Sequence, residues 1–391
     1  MIRLGLPALA LLGGAPLAAA MELPALTPSV ADAMAQASPQ AMAEYRRKLS
    51  EYEAARAPID AYWNSISEKR RGRNAKRRAG QQITLDDYVL AQPPVYSGPP
   101  KPVDPSAPEP EGRPRRTLPM VPDLVEAAVK HFQFTPQRPA SEIEFKRAYA
   151  KVAAAAGLTR EQAVRVFSFE TGGNGNYDMQ SGYRGPGTRP ISTAIGYNQL
   201  LTTNSVELIA QQGDAILKAL HEKAALLSGA PRKAMENKIA VLKRMIAFAR
   251  SVPDTWSDHE KLAKTEKGWA LHAMVLDIDV GPHLQAHKLL TSGNFARMKG
   301  HARPLTGAEL EMMNLTGDGT GLDMVTMPQS MREQVPTSNF FQRGGYERNP
   351  VASRHNTVAK LFAVTNERMD FNSAKPGAQE LAAAFSSLSS R

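Results

Sequence analysis

The chain contains no cysteine, which excludes disulfide staples, thiolate metal sites, a thiol nucleophile and lipid attachment through an amino-terminal cysteine. Stability has to come from packing alone, and 391 residues with 42% hydrophobic content suffice for one large domain or two modest ones. Long apolar runs are also lacking. The longest candidate opens the chain: Met1-Ile2-Arg3, an apolar stretch from Leu4 to Leu12, then small residues ending in Ala18-Ala19-Ala20. It is too short to span a bilayer, so no stable membrane insertion is expected. The three-part layout is that of a secretory signal peptide cleaved near Ala20. Residues 1–20 are therefore set aside from the fold, and the mature protein is expected outside the cytoplasm, in the periplasm or envelope of a Gram-negative bacterium. A buried amino-terminal helix is the alternative reading.

Charge of one sign is in excess: the formal net charge is +10, which favours anionic partners. Lys69, Arg70, Arg71, Arg73, Lys76, Arg77 and Arg78 form one dense run. No aromatic residue interrupts it, and export removes nucleic acid from reach, so nucleic acid is not expected as a partner. Two readings stay open, a solvated basic stretch or an anchor to an acidic envelope polymer or envelope protein.

Prolines recur every two or three residues from Gln92 to Pro122, which predicts an extended, semi-rigid linker. It divides an accessory region over residues 21–91, holding one isolated helix and the basic run, from a helical domain over 121–370 and a helical tail over 371–391. Beyond the linker the expected class is all-α. Ser141 with Glu144, Thr159 with Gln162, Asn204 with Glu207, and Thr306 with Glu309 each have the spacing of a capping box. Gly229-Ala230-Pro231 should split one helical stretch, and Gly281-Pro282 should kink or break another.

The helix opened by Thr159 carries Ala163, Val166 and Phe167 on its apolar face, and the next step along that stripe is Glu170. Thr171-Gly172-Gly173 follows, suited to a left-handed cap. Burial and the negative end of the helix dipole both disfavour the anion, so Glu170 should hold a proton near neutrality, as a general acid must. Neutralisation by an arginine, or exposure at a fraying helix end, would give the same pattern without chemistry.

The segment after Glu170 resembles the bacterial lytic transglycosylases of the lysozyme-like superfamily. That family carries Glu-Ser at a helix end and then Gly-Leu-Met-Gln; this chain reads Glu170-Thr171 and Gly196-Tyr197-Asn198-Gln199-Leu200. Ile278 to Leu284 is similar to the family's Asn-Ile-x-x-Gly-x-x-Tyr-Leu helix, with Asp277 in the Asn position. Asn314-Leu315-Thr316-Gly317-Asp318-Gly319 is similar to Tyr-Asn-Ala-Gly-x-Gly, with Met313 replacing the aromatic. The resemblance spans about Val121 to Asp370. It implies a lysozyme-like domain that cleaves peptidoglycan glycan strands between N-acetylmuramic acid and N-acetylglucosamine, with Glu170 as acid and then base, 1,6-anhydro product and no cofactor. Thr171, Tyr197, Gln199 and Asn314 would position the sugars. Asp178 and Tyr346 are further substrate-binding candidates, as are Gln180, Ser181, Tyr183, Phe340 and Phe341. Hydrolysis of the goose-lysozyme kind would need a second carboxylate, for which Asp178 is the candidate, and a non-catalytic peptidoglycan-binding scaffold is the third reading. His283 and His287 lie four apart but lack a third ligand, so no metal site is expected.

Overall fold

The structure, a computed structural model, describes residues 38–107 and 118–389. The signal-peptide reading falls outside the described residues, as does the middle of the proline-rich segment. The chain divides into two compact units, Met1–Pro58 with Tyr96–Arg115, and Ile59–Val95 with Arg116–Arg391. Helix α1 (Pro39–Arg78) begins in the first unit. There it is largely exposed and held by i,i+4 pairs such as Arg47 with Glu51 and Lys48 with Glu44. The described start of the proline-rich segment in that unit lies against the helix: Tyr52 and Tyr96 meet edge-on at 5.9 Å, and a Cβ on Gly98 would clash with that of Ala55.

The second unit contradicts the expected boundary between accessory region and domain. From Ile59 onward α1 buries Ile59, Tyr62, Trp63 and Ile66, an i, i+3, i+4, i+7 stripe, in the same core as the residues beyond 120. It is not an isolated helix. Tyr62 Oη lies 2.6 Å from Ser338 Oγ, and Trp63 packs edge-on against Tyr346 at 5.6 Å. The basic run is solvated only in part: Lys69, Arg71 and Arg78 are exposed, and the others are engaged. Arg73 is 1% exposed and donates to the carbonyls of Asp87 and Asn339. Arg70 donates to the carbonyls of Asn339 and Phe341, Lys76 pairs with Asp87, and Arg77 pairs with Asp323.

The rest of this unit is all-α: α2 (Val121–Phe132), α3 (Glu142–Ala155), α4 (Arg160–Thr171), α5 (Thr202–Ala225), α6 (Gly229–Ala249), α7 (Trp256–Ala263), α8 (Glu266–His272), α9 (Gly281–Met298), α10 (Gly307–Thr316), α11 (Asp318–Thr326), α12 (Gln329–Arg332), α13 (Arg343–Arg348), α14 (Pro350–Arg354), α15 (Val358–Ser373) and α16 (Pro376–Ser389). Among the described residues β-structure is confined to isolated bridges. Three of the four capping signals act as expected: Ser141, Thr159 and Thr306 each accept from the amide three residues on. Asn204 does not. Its helix begins at Thr202, and its side chain reaches back to the amide of Leu201, so Asn204 is the acceptor of the capping pair and not its first member. The glycine-proline breaks fall where the sequence places them, between α5 and α6 and at the start of α9. The described part of the carboxy-terminal tail, residues 371–389, is no appendage, because α16 buries Ala378, Leu381 and Phe385 and lies against α3 and α4.

Helix α9 is covered along most of its length, from Gly281 to Ala296, because it is sandwiched. Leu284 belongs to one core cluster with α2, α5, α6 and α8, whereas Leu289 and Leu290 belong to the other with α1, α3, α4 and α10. No helix of the described residues is long and apolar enough to cross a membrane.

Candidate active site

Glu170 closes α4, with Gly172 at φ 67° as the left-handed cap predicted from its lack of a side chain. Its carboxyl is partly buried and forms one wall of a pocket of about 590 Å³. Asn314 of α10 donates from Nδ2 to Glu170 Oε1 at 2.6 Å. Beside them stands a group that the sequence reading missed. Glu311, one helical turn before Asn314, is completely buried, and no donor reaches either of its oxygens. It contacts Glu170 as a second carboxyl. Two such groups cannot both ionise in a dry site. Burial pushes the Glu170 carboxyl up to about 7, against the opposing pull of Lys288 and of hydrogen bonds from Glu311 and Asn314. Glu311 is raised well above the ordinary carboxylate range, first by burial and then by the charge of Glu170. The signal available in the sequence was the spacing: Glu311 and Asn314 lie three apart on one face of the helix, next to the apolar Leu310, Met312 and Met313.

Further lining comes from α5, α7 and α9. Glu207, Trp256, Lys288, Thr291 and Ser292 line the pocket there, with Asp318 at one end. Lys288 is the only cation among the lining residues and faces several carboxyls. The Glu207 carboxyl is also raised, chiefly by burial. Ser292 donates from Oγ to Asp318 Oδ1 at 2.6 Å. Trp256 is 47% exposed and is the only aromatic residue among those lining the pocket.

The loop from Gly172 to Leu201 brings Gln199 and Ser181 to the pocket. Its last turn is pinned to α9. Gln285 accepts from the amide of Asn198 and donates to the carbonyl of Ile195, and Asn198 donates to the Gln285 carbonyl at 2.8 Å. Gly196 sits at φ 83°, where a Cβ would come within 2.1 Å of Gln285 Nε2. Gln199 itself takes φ 44°, an unusual conformation for a residue with a side chain, and its amide is tied to the Gly196 carbonyl at 2.8 Å. The fully buried His272 fastens the loop from beneath, donating to the Thr193 carbonyl through Nε2 and accepting from Ser205 through Nδ1. Burial drives its pKa down to about 4.

Of the residues singled out from the sequence, Glu170, Gln199, Asn314 and Ser181 converge on this pocket. The others do not. Tyr197 is fully buried among Phe145, Tyr149 and Phe167, its hydroxyl donating to Glu142. It is core because its neighbours on α3 and α4 close around it. Thr171 turns its hydroxyl back to the Phe167 carbonyl at 2.7 Å, as threonines at helix ends do. Asp178 pairs with Arg138 at 3.2 Å and does not line the pocket, so it is no base for water there. Tyr346, Phe340 and Phe341 are buried in the cluster around Trp63, Tyr88 and α13. Gln180 donates inward to the Pro119 carbonyl, and Tyr183 stays exposed on the loop without reaching the pocket.

Family models, curated proteins and solved structures were all compared with the chain. None matches it. The functional reading therefore rests on the pocket and on the motifs quoted above. His283 and His287 stack at 6.4 Å with pKa values lowered mainly by burial, and no group of three metal-binding side chains occurs among the described residues.

Proposed function

We propose that this chain is a peptidoglycan lytic transglycosylase with a lysozyme-like helical domain, exported to the cell envelope, and that Glu170 is its catalytic acid and base. One observation carries the reading: a carboxyl that burial pushes up to about 7 stands at the wall of a pocket whose lining also offers the neutral hydrogen-bonding side chains of Gln199, Asn314, Thr291 and Ser292. A sugar chain offers hydroxyls and acetamido groups, and Gln199, Asn314, Thr291 and Ser292 suit them. Trp256 at the rim suits the apolar face of a sugar ring.

In this reading Glu170 gives its proton to the oxygen joining carbon 1 of N-acetylmuramic acid to N-acetylglucosamine, and the bond from carbon 1 to that oxygen breaks. The substrate's acetamido carbonyl supports the developing positive charge. The muramoyl 6-hydroxyl then attacks carbon 1 and yields its proton to the Glu170 carboxylate, which restores the acid. No water is consumed. Asn314 and Glu311 both donate to the carboxylate left after the first step and so lower the barrier to proton release. Glu311 is fully enclosed and in contact with Glu170, so it cannot stand on the far side of a sugar, as the second carboxylate of a hydrolase must.

Hydrolysis remains a second reading, supported by Glu207 and Asp318 in the same pocket. Mass spectrometry of fragments released from purified sacculi separates the two. Anhydro-ended muropeptides are expected, and Glu170→Gln should lower their release by about 10²–10⁴-fold. Reducing ends, lost on Glu207→Gln or Asp318→Asn, would make it a hydrolase. Undiminished release by Glu170→Gln would remove Glu170 from catalysis.

A further inference from the structure

A larger cavity of about 920 Å³ adjoins the Glu170 pocket, and Gly317 and Asp318 line both. Across that shared edge the character of the lining reverses. The Glu170 pocket holds three carboxylates, Glu170, Glu207 and Asp318, against Lys288. The neighbouring cavity holds five cations, Arg70, Arg73, Arg77, Arg78 and Lys299, against Asp318 and Asp323. Few of those charges are neutralised from within. Arg70 and Arg73 are satisfied by backbone carbonyls, each leaving a buried Nε without an acceptor, and Arg77 alone is paired, with Asp323. Among the described residues no carboxylate pairs with Arg78 or Lys299, and both are exposed. Ile83, Phe295, Leu322 and Met331 give the cavity an apolar floor.

Resting on the glycan-cleaving reading, we infer that this cavity is a subsite for the anionic peptide carried by the same glycan whose sugars enter the Glu170 pocket. Each muramic acid of peptidoglycan bears, through its lactyl ether, a short peptide of alanine and amino-dicarboxylic acids. Its carboxylates meet the arginines and its methyl groups meet the apolar floor. A free polyanion would need the charge but not the floor, nor an edge shared with the acid. Four of the five cations come from α1, where Arg70, Arg73, Asn74 and Arg77 recur at helical spacing, and Lys299 comes from the end of α9. The basic run thus serves substrate recognition beside the acid and not attachment at a distance.

The test compares two substrates and two proteins, all with the full chain. The substrates are glycan strands with their peptides intact and the same strands stripped by an amidase. The proteins are wild type and Arg78→Glu/Lys299→Glu, whose exposed positions leave the core untouched and whose folding is checked by circular dichroism. Wild type should show at least tenfold higher kcat/KM on the peptide-bearing strands, carried in KM, and the variant should reduce that ratio to near one. A ratio near one in wild type, or a ratio kept in the variant, overturns the subsite. A second arm measures anisotropy of a fluorescent stem tetrapeptide. Saturable binding lost in the variant is expected, and competition by inorganic phosphate as effective as by unlabelled peptide would reduce the cavity to a general anion site and overturn the proposal. Cleavage of neither substrate by wild type would instead overturn the glycan-cleaving reading, whatever the anisotropy arm returns.

Discussion

Glu170 and Glu311 make an unequal pair. Both are raised by burial, but Glu311 has no outlet to the pocket, whereas Glu170 faces it. Such a pair loses its protons in two macroscopic steps. The alkaline limb of kcat/KM should therefore begin near pH 7 and steepen at higher pH in wild type. Glu311→Gln keeps a donor beside Glu170 but removes the second titration, so its limb should stay at one proton. An identical limb in the variant would show that the two carboxyls act independently. The same pair sets the sign of a stability effect. Carboxyls raised in the folded state bind protons more tightly there than in the unfolded chain, so the pair's own contribution to stability is greatest at low pH and declines as pH rises from about 4.5 through 7. Glu311→Gln should flatten that decline in a series of thermal melts. At this scale the sequence was half legible. Glu170 stood out because a carboxylate interrupted an apolar stripe and a glycine cap followed. Glu311 interrupts a stripe in the same way, but it lay outside the resembling motif. Tyr197 lay inside the motif and proved to be core, since pairing with Glu142 satisfies its hydroxyl.

Among elements, the turn from Ile195 to Leu200 does the positioning, and it is over-determined. Gln285 of α9 uses both ends of its amide on this turn, and Gly196 leaves it the room. Gly196→Ala would force a side chain into φ 83° and into Gln285. We expect a loss of about 1–3 kcal/mol, from the strain and the unmade hydrogen bonds, read as a lower midpoint in denaturant, together with lower turnover because Gln199 moves. A variant with wild-type stability and turnover would show that the turn tolerates a second geometry. Helix starts were readable where a hydroxyl precedes the helix, as at Ser141, Thr159 and Thr306. At Asn204 the same residue spacing misled, because Asn serves equally well as the acceptor from inside the first turn.

The whole molecule uses its amino-terminal sequence differently from what a proline-rich break suggests. Ile59, Tyr62, Trp63 and Ile66 complete the core that supports α13 and Ser338. Burying each is worth about 1.5–3 kcal/mol. A chain beginning at Ile59 should melt close to the full-length protein, whereas one beginning at Leu118 should lose several kcal/mol or fail to stay soluble. Equal midpoints for the two truncations would return residues 59–95 to the status of an accessory. The proline-rich segment hid this because proline marks where the backbone leaves helix, not where a core ends. With the core complete on both sides of α9, Glu311 behind Glu170 is completely buried, and on that dryness the proposed function rests. Carbon-13 NMR of labelled glutamate carboxyls, with the Glu170 signal assigned by its absence in Glu170→Gln, measures the consequence directly. The account predicts a Glu170 midpoint near pH 7, and a midpoint at the ordinary carboxylate value near 4.5 would contradict it.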